Sequence, residues 1–289
     1  WDSLLLNFRD VDQKTLFIFL SKISMAIFGE NEFALRLPAL ASGIFALPLA
    51  YKVGVLTTAS RPGALIGTLM LTFSLAHIHF IHDARGYSLT VFLALAMGLI
   101  TYKLLEKKNF KLWAILFFLT GIGMILIVPT NVHFLVGIGA FYIIIILKNH
   151  RKPYTLSHIG KLIWPLILLF GVICGYFLQI SEDLKRAIDT EKNFRNFFGT
   201  SQELGSKLLN IDPGMGFSLA RFTDIFHTLV SPWHTWLYLF VFYGLICLYK
   251  TRGFVLFTSL IISPIILILL SGLLGPPRVY VYWLPFFLL

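Results

Sequence analysis

Eight apolar runs of 16–22 residues recur along this chain, at 39–58, 63–81, 86–105, 112–128, 132–147, 162–180, 233–249 and 253–274. A helix needs about 20 mainly apolar residues to cross the hydrocarbon core of a bilayer. In lipid, only a structure that satisfies its backbone N–H and C=O groups internally can span. Repeated runs of this length therefore point to an all-α, polytopic membrane helical bundle. Composition supports that reading, with 57% hydrophobic and 13% charged residues. The charged share is about half of the roughly 25% typical of soluble domains, so a water-soluble fold could not cover its own surface. A disordered tail, a secreted disulfide scaffold and a cytosolic nucleotide enzyme are excluded as the main architecture. Within 112–147, Pro129-Thr130-Asn131 divides the apolar stretch into a hairpin. A ninth run begins near Val279. Leu16–Phe28 is apolar but short and carries Lys22 at its middle, which predicts a helix that lies in the membrane interface or packs on the bundle and does not span.

The charges divide by side. The alternating loops 51–62, 103–111, 148–161 and 250–252 hold twelve Lys/Arg and one acidic residue, Glu106; the rest of the chain holds twelve Lys/Arg and thirteen Asp/Glu. Basic residues gather in cytoplasmic loops, so these four loops are expected inside. The net charge of +10 is thereby read as a topology signal, and nucleic acid is not expected as a partner. Residues 1–38, the turn 82–88 and the loop 181–232 then face outward, with nearly every carboxylate. Span centres are almost free of charge. An ion-coupled transporter keeps ionisable groups near mid-membrane, whereas this pattern places the chemistry at the outer surface. One membrane domain is expected: an outer loop with an interfacial helix (1–38), six spans (39–180), an outer loop (181–232) and the last spans (233–289). Trp1 in place of Met, and an apolar end at Leu289, lead us to expect a longer chain with an earlier span. The glycine pairs Gly63-x-x-x-Gly67 and Gly171-x-x-x-Gly175 predict close helix packing. Cys174 and Cys247 both lie in apolar runs and form no disulfide framework.

Three motifs fall in the outward-facing layer. They are Phe28-Gly-Glu-Asn-Glu-Phe-Ala-Leu-Arg-Leu-Pro38 before a span, His82-Asp-Ala-Arg-Gly-Tyr-Ser88 between two spans, and Pro277-Arg-Val-Tyr280 with Leu284-Pro285 in the last run. In order, spacing and sidedness they resemble the GT-C membrane glycosyltransferases of the protein O-mannosyltransferase and aminoarabinose transferase type. The resemblance implies a helical bundle with helices on the extracytoplasmic face of the plasma (inner) membrane. It also implies transfer of a sugar from a polyprenyl-phosphate carrier to an extracytoplasmic acceptor, be it lipid, glycan or protein. One departure stands out: related chains often read Asp-x-His-Pro-Pro-Leu before the interfacial helix, where this chain reads Asp10-Val-Asp12-Gln-Lys-Thr-Leu16.

Such a reaction requires a base for the acceptor proton and cations for the departing phosphate. The resemblance assigns the base to Asp10 or Asp12, either of which could equally sit in a solvated loop or cap the helix. Arg36, Arg85 and Arg278 are the candidates for the carrier phosphate, since the guanidinium fork can donate two hydrogen bonds at once; the alternative is that each simply reaches to water. Asp83 would orient the acceptor or a cation, or pair with Arg85. His79 and His82, three residues apart on one helix face, could join Asp83 around a divalent metal cation. Tyr87, Tyr280 and His133 are candidate substrate contacts. The competing class is a non-enzymatic polyprenyl-lipid transporter, or a degenerate GT-C protein serving as an assembly partner, in which the outer charges bind lipid headgroups.

Overall fold

The computed structural model describes residues 14–106, 109–148, 163–176, 178, 227–229, 231, 248–249, 251–271 and 277–289. The helices are α1 (Thr15–Phe28), α2 (Glu32–Thr58), α3 (Arg61–Thr72), α4 (Leu75–His82), α5 (Tyr87–Leu105), α6 (Phe110–Ile127), α7 (Val132–Lys148), α8 (Ile163–Tyr176), α9 (Arg252–Ser271) and α10 (Leu284–Leu288), with 3-10 stretches at Pro129–Asn131 and Pro277–Trp283. Among the described residues there is no strand. Of these helices, α2, α5, α6 and α7 (with the turn before it) are long and apolar enough to cross a membrane, and α3 with α4 would make a fifth span. The protein is an all-α integral membrane bundle. The expected span 233–249 lies almost wholly outside the described residues, and the outer loop 181–232 mostly so.

Successive helices reverse direction, so the turns fall at two ends. The turns after α1, α4 and α6 share one, called here the Asp83 end; those after α2 and α5, with the end of α7, share the other, the Lys103 end. The Pro129-Thr130-Asn131 hairpin is formed as the sequence implies. Two spans differ from expectation. The helix expected at 39 begins at Glu32 instead, because Asn31 caps it: its Oδ1 accepts from the Ala34 N–H at 2.8 Å, so the helix is already under way when it reaches Pro38. Its 27 residues reach about 40 Å. The run 63–81 is two helices bent by 54°. Just before the bend, the Thr68 and Thr72 hydroxyls donate back to the carbonyls of Ala64 and Thr68 at 2.7 and 2.8 Å, an arrangement that bends helices.

α5 is the central helix, buried along most of its length and packed on α2, α6, α7 and α10. α6 turns Leu112, Ile115 and Leu119 outward, an i, i+3, i+7 stripe suited to acyl chains. Between helices in lipid, close contact replaces the hydrophobic drive. Gly137 of α7 admits α9, with Ser263 Oγ 2.9 Å and the Ser259 carbonyl 3.1 Å from where a Cβ would stand. Gly67 lets the backbone carbonyl of Leu288 approach α3, and Gly253 does the same for the Thr57 carbonyl. Of the expected Gly-x-x-x-Gly pairs, Gly67 packs closely and Gly63 meets its own cap and the adjoining Thr58, while Gly171 and Gly175 have no described residue within 4 Å.

α1 lies across the Asp83 end. Its buried face is Phe17, Ser21 and Ser24, while Phe19, Ile23 and Ile27 are exposed. Ser21 Oγ donates to the Leu35 carbonyl at 3.3 Å, tying α1 to the start of α2. The Phe28 ring meets Phe33 edge-on at 6.4 Å. α1 thus packs on the bundle against the start of α2 and the end of α6.

Candidate functional site

The turn 83–87 is the centre of the Asp83 end. α4 stops at His82, and the Arg85 N–H donates to the Asp83 carbonyl at 2.7 Å. Gly86 then adopts φ +79°, the left-handed conformation, and α5 begins at once. A Cβ on Gly86 would stand 2.9 Å from Phe17 Cβ and 3.4 Å from Ile127. Glycine is thus required twice over, by backbone angle and by the close approach of α1 and α6. This contact gathers the turn, the start of α1 and the end of α6 in one place.

Asp83 Oδ1 lies 3.4 Å from Arg85 Nε; the aspartate side chain is 23% exposed and the arginine 61%. Arg85 keeps most of its fork available. Arg36 sits on the first turns of α2 and pairs with Glu32 at 2.6 Å, both largely exposed. An exposed pair of this kind contributes at most about 1 kcal/mol, so an anionic ligand can displace Glu32. Arg36 and Arg85 are each three residues from a shared contact, where Ser88 Oγ donates to the Ala39 carbonyl at 2.9 Å. They therefore stand at similar depth, Arg36 on α2 and Arg85 in the turn just before α5. Arg278 belongs to the 3-10 stretch Pro277–Trp283, two residues before Tyr280, and Tyr280 meets His133 with ring centroids 6.4 Å apart. Asp10 and Asp12 lie outside the described residues.

One further cation joins this end. Lys14 places its Nζ 4.2 Å from the Tyr87 ring centroid. Nothing in sequence spacing connects the two; they meet because α1 folds back over the turn. Tyr87 itself is buried and also packs on Phe80 at 5.1 Å. Tyr280 is buried as well, stacked on Trp283 at 5.2 Å. These two tyrosines form the walls of the region more than its open surface.

The metal set is a correction. No group of three or more His, Cys, Asp or Glu among the described residues is placed to hold a metal ion. Asp83 is turned to Arg85, His79 packs against the Phe80 ring at 5.4 Å, and His77 is buried beside the Gly43 backbone of α2. His79 and His82 share a helix face without a third ligand among the described residues. A small cavity does occur at the opposite end, lined by Val53, Thr57, Gly253, Leu256, Phe286 and Leu289. Its walls are largely apolar, and no candidate residue reaches it.

What the Asp83 end can do follows from its charges. Two arginines and a lysine stand where the bundle meets the interface, with a carboxylate among them. Arginine suits an anionic headgroup because its fork is planar and weakly hydrated. Over residues 12–175, more than half of the chain, the sequence matches the model of the dolichyl-phosphate-mannose-protein mannosyltransferase family. The chain belongs to this family. It is a membrane glycosyltransferase of the GT-C, mannosyltransferase type. The match takes in α1 to α7, and with them Asp12, Arg36 and the turn 83–87. No curated protein and no solved structure matches the chain.

Proposed function

We propose that this mannosyltransferase-family protein moves a sugar from a polyprenyl-phosphate carrier to an acceptor on the extracytoplasmic side of the plasma membrane. The observation that carries the reading is the gathering of Lys14, Arg36 and Arg85 at the Asp83 end, beside the segment holding Arg278. A carrier lipid lies in the bilayer with its phosphate at the headgroup layer, and these cations are at that layer.

The reaction is a displacement at the anomeric carbon. The acceptor oxygen or nitrogen attacks that carbon as its bond to the phosphate oxygen breaks. The acceptor proton passes to Asp10 or Asp12, and the electron pair leaves with the polyprenyl phosphate, which gains a negative charge. Attack opposite the leaving group inverts the anomeric configuration. Arg36, Arg85 and Arg278 stabilise the growing phosphate charge; fixed guanidinium groups in a partly dehydrated site do so without the reorganisation that water needs. Asp83 holds Arg85 and orients the acceptor.

The test is transfer by purified protein in nanodiscs, supplied with a panel of polyprenyl-phosphate sugars and hydroxyl- or amine-bearing acceptors. Turnover with at least one carrier sugar is expected. Turnover only with nucleotide sugars would overturn the reading.

A further inference from the structure

The hairpin between α6 and α7 carries three hydrogen-bonding side chains whose acceptors outnumber their donors. Asn131 is fully buried. Its Nδ2 donates to the Met124 carbonyl at 2.9 Å, and its Oδ1 has no partner among the described residues. Thr130 Oγ1 is likewise closed off and unpartnered among the described residues. His133 lies half buried, with Nδ1 2.7 Å from the Thr130 carbonyl. A carbonyl oxygen can only accept, so Nδ1 carries the hydrogen, and in the neutral ring Nε2 holds the lone pair. The ring meets Tyr280 edge-on, close to the Arg278 segment, and Ile127 just before the hairpin approaches the Gly86 position.

Buried polar atoms nearly always find partners. Asn131 Oδ1 and the lone pair of His133 Nε2 can only accept, so a group that meets either of them is a donor. An ionised phosphate brings acceptors alone and does not fit. A hydroxyl does. The two closed-off atoms draw on something as small as water held in the turn, while His133 is within reach of a larger ligand. We propose that the turn 129–133 is a hydroxyl-binding subsite for a sugar at the Asp83 end, with His133 Nε2 as its contact acceptor and Asn131 fixing the turn. The identity of the ligand rests on the transferase reading; the binding does not. The hydroxyl can belong to the carrier sugar or to the acceptor.

The experiment has two arms. In the first, the chain in nanodiscs is labelled with 15N-histidine, and the His133 signals are assigned by their loss in His133→Gln. Octyl mannoside should move the Nε2 resonance, whereas octyltrimethylammonium, which has no hydrogen-bond donor, should leave it in place. A resonance unmoved at saturating mannoside overturns the proposal. In the second, His133→Phe should raise one KM by about 10-fold, the scale of one neutral hydrogen bond, with kcat held, and His133→Gln, whose amide oxygen accepts, should recover part of it. A rise in the donor KM assigns the hydroxyl to the carrier sugar, and a rise in the acceptor KM to the acceptor. Unchanged KM values, or a lower kcat that tracks a lower unfolding temperature, would mean that the turn is only structural. If wild type turns over no polyprenyl-phosphate sugar, the transferase reading fails and the resonance arm alone decides the subsite.

Discussion

Trp283 donates its indole N–H to the carbonyl of Leu260 over 2.9 Å, inside the bundle. That carbonyl lies four residues before Pro264 of α9. Proline has no N–H, so the helix itself cannot supply the usual donor at this point. A residue 23 positions further along the chain supplies it instead. The contact joins α9 to the 3-10 stretch that carries Arg278 and Tyr280, and so helps to place those residues against His133.

This pairing makes a measurable prediction. Trp283→Phe keeps most of the ring volume and leaves the carbonyl unpaired, so it should destabilise the protein by about 1–3 kcal/mol. Pro264→Ala restores the helical donor. In that background Trp283→Phe should cost clearly less, as a double-mutant cycle of thermal unfolding in nanodiscs would show. Equal costs in both backgrounds would mean that the hydrogen bond contributes nothing beyond packing.

The arginines are tested by charge-conserving change. Arg36→Lys, Arg85→Lys and Arg278→Lys keep the charge and lose the planar fork. Turnover should drop markedly at each position that contacts the carrier phosphate, while an arginine that only reaches to water should tolerate lysine. Arg36 is informative because its present partner, Glu32, is exposed. Glu32→Gln should leave turnover intact if the carboxylate merely occupies the fork until the carrier phosphate displaces it.

The base is tested at the start of the chain. Asp10→Asn or Asp12→Asn should lower turnover by about 100-fold or more, the low end for a positioned general base. Carrier binding, followed by quenching of intrinsic tryptophan fluorescence, should largely persist. Wild-type rates in both variants and in the double variant would place the base elsewhere.

Sidedness can be measured in intact cells. An impermeant thiol reagent should label Gly205→Cys and leave Asn149→Cys untouched, as the twelve-to-one excess of basic over acidic residues in the four alternating loops implies. The opposite pattern would put the Asp83 end in the cytoplasm and reverse the site assignment.

The sequence by itself determined the class of fold, the number of apolar runs and the break at Pro129. Span length answers to bilayer thickness, which is a property of consecutive residues. The layer that holds Arg36, Asp83, Arg85 and Arg278 was readable for the same reason, because charges avoid span centres. Even the early start of α2 had a local signal, the Asn31 cap. The bend between Thr72 and Leu75 was less legible: no proline or glycine marks it, and threonines bend a helix only where their hydroxyls turn back on the backbone. Tertiary structure alone decided which groups meet within the layer. Lys14 reaches Tyr87 because Gly86 lets Phe17 and Ile127 close over one turn. His133 meets Tyr280 because α9 and α7 pack at Gly137 and Trp283 satisfies Leu260. It also turns Asp83 to Arg85 and packs His79 on Phe80, so that His79, His82 and Asp83 do not converge. Such pairings join residues far apart in the chain through helix contacts of specific shape, and sequence spacing carries no record of that shape.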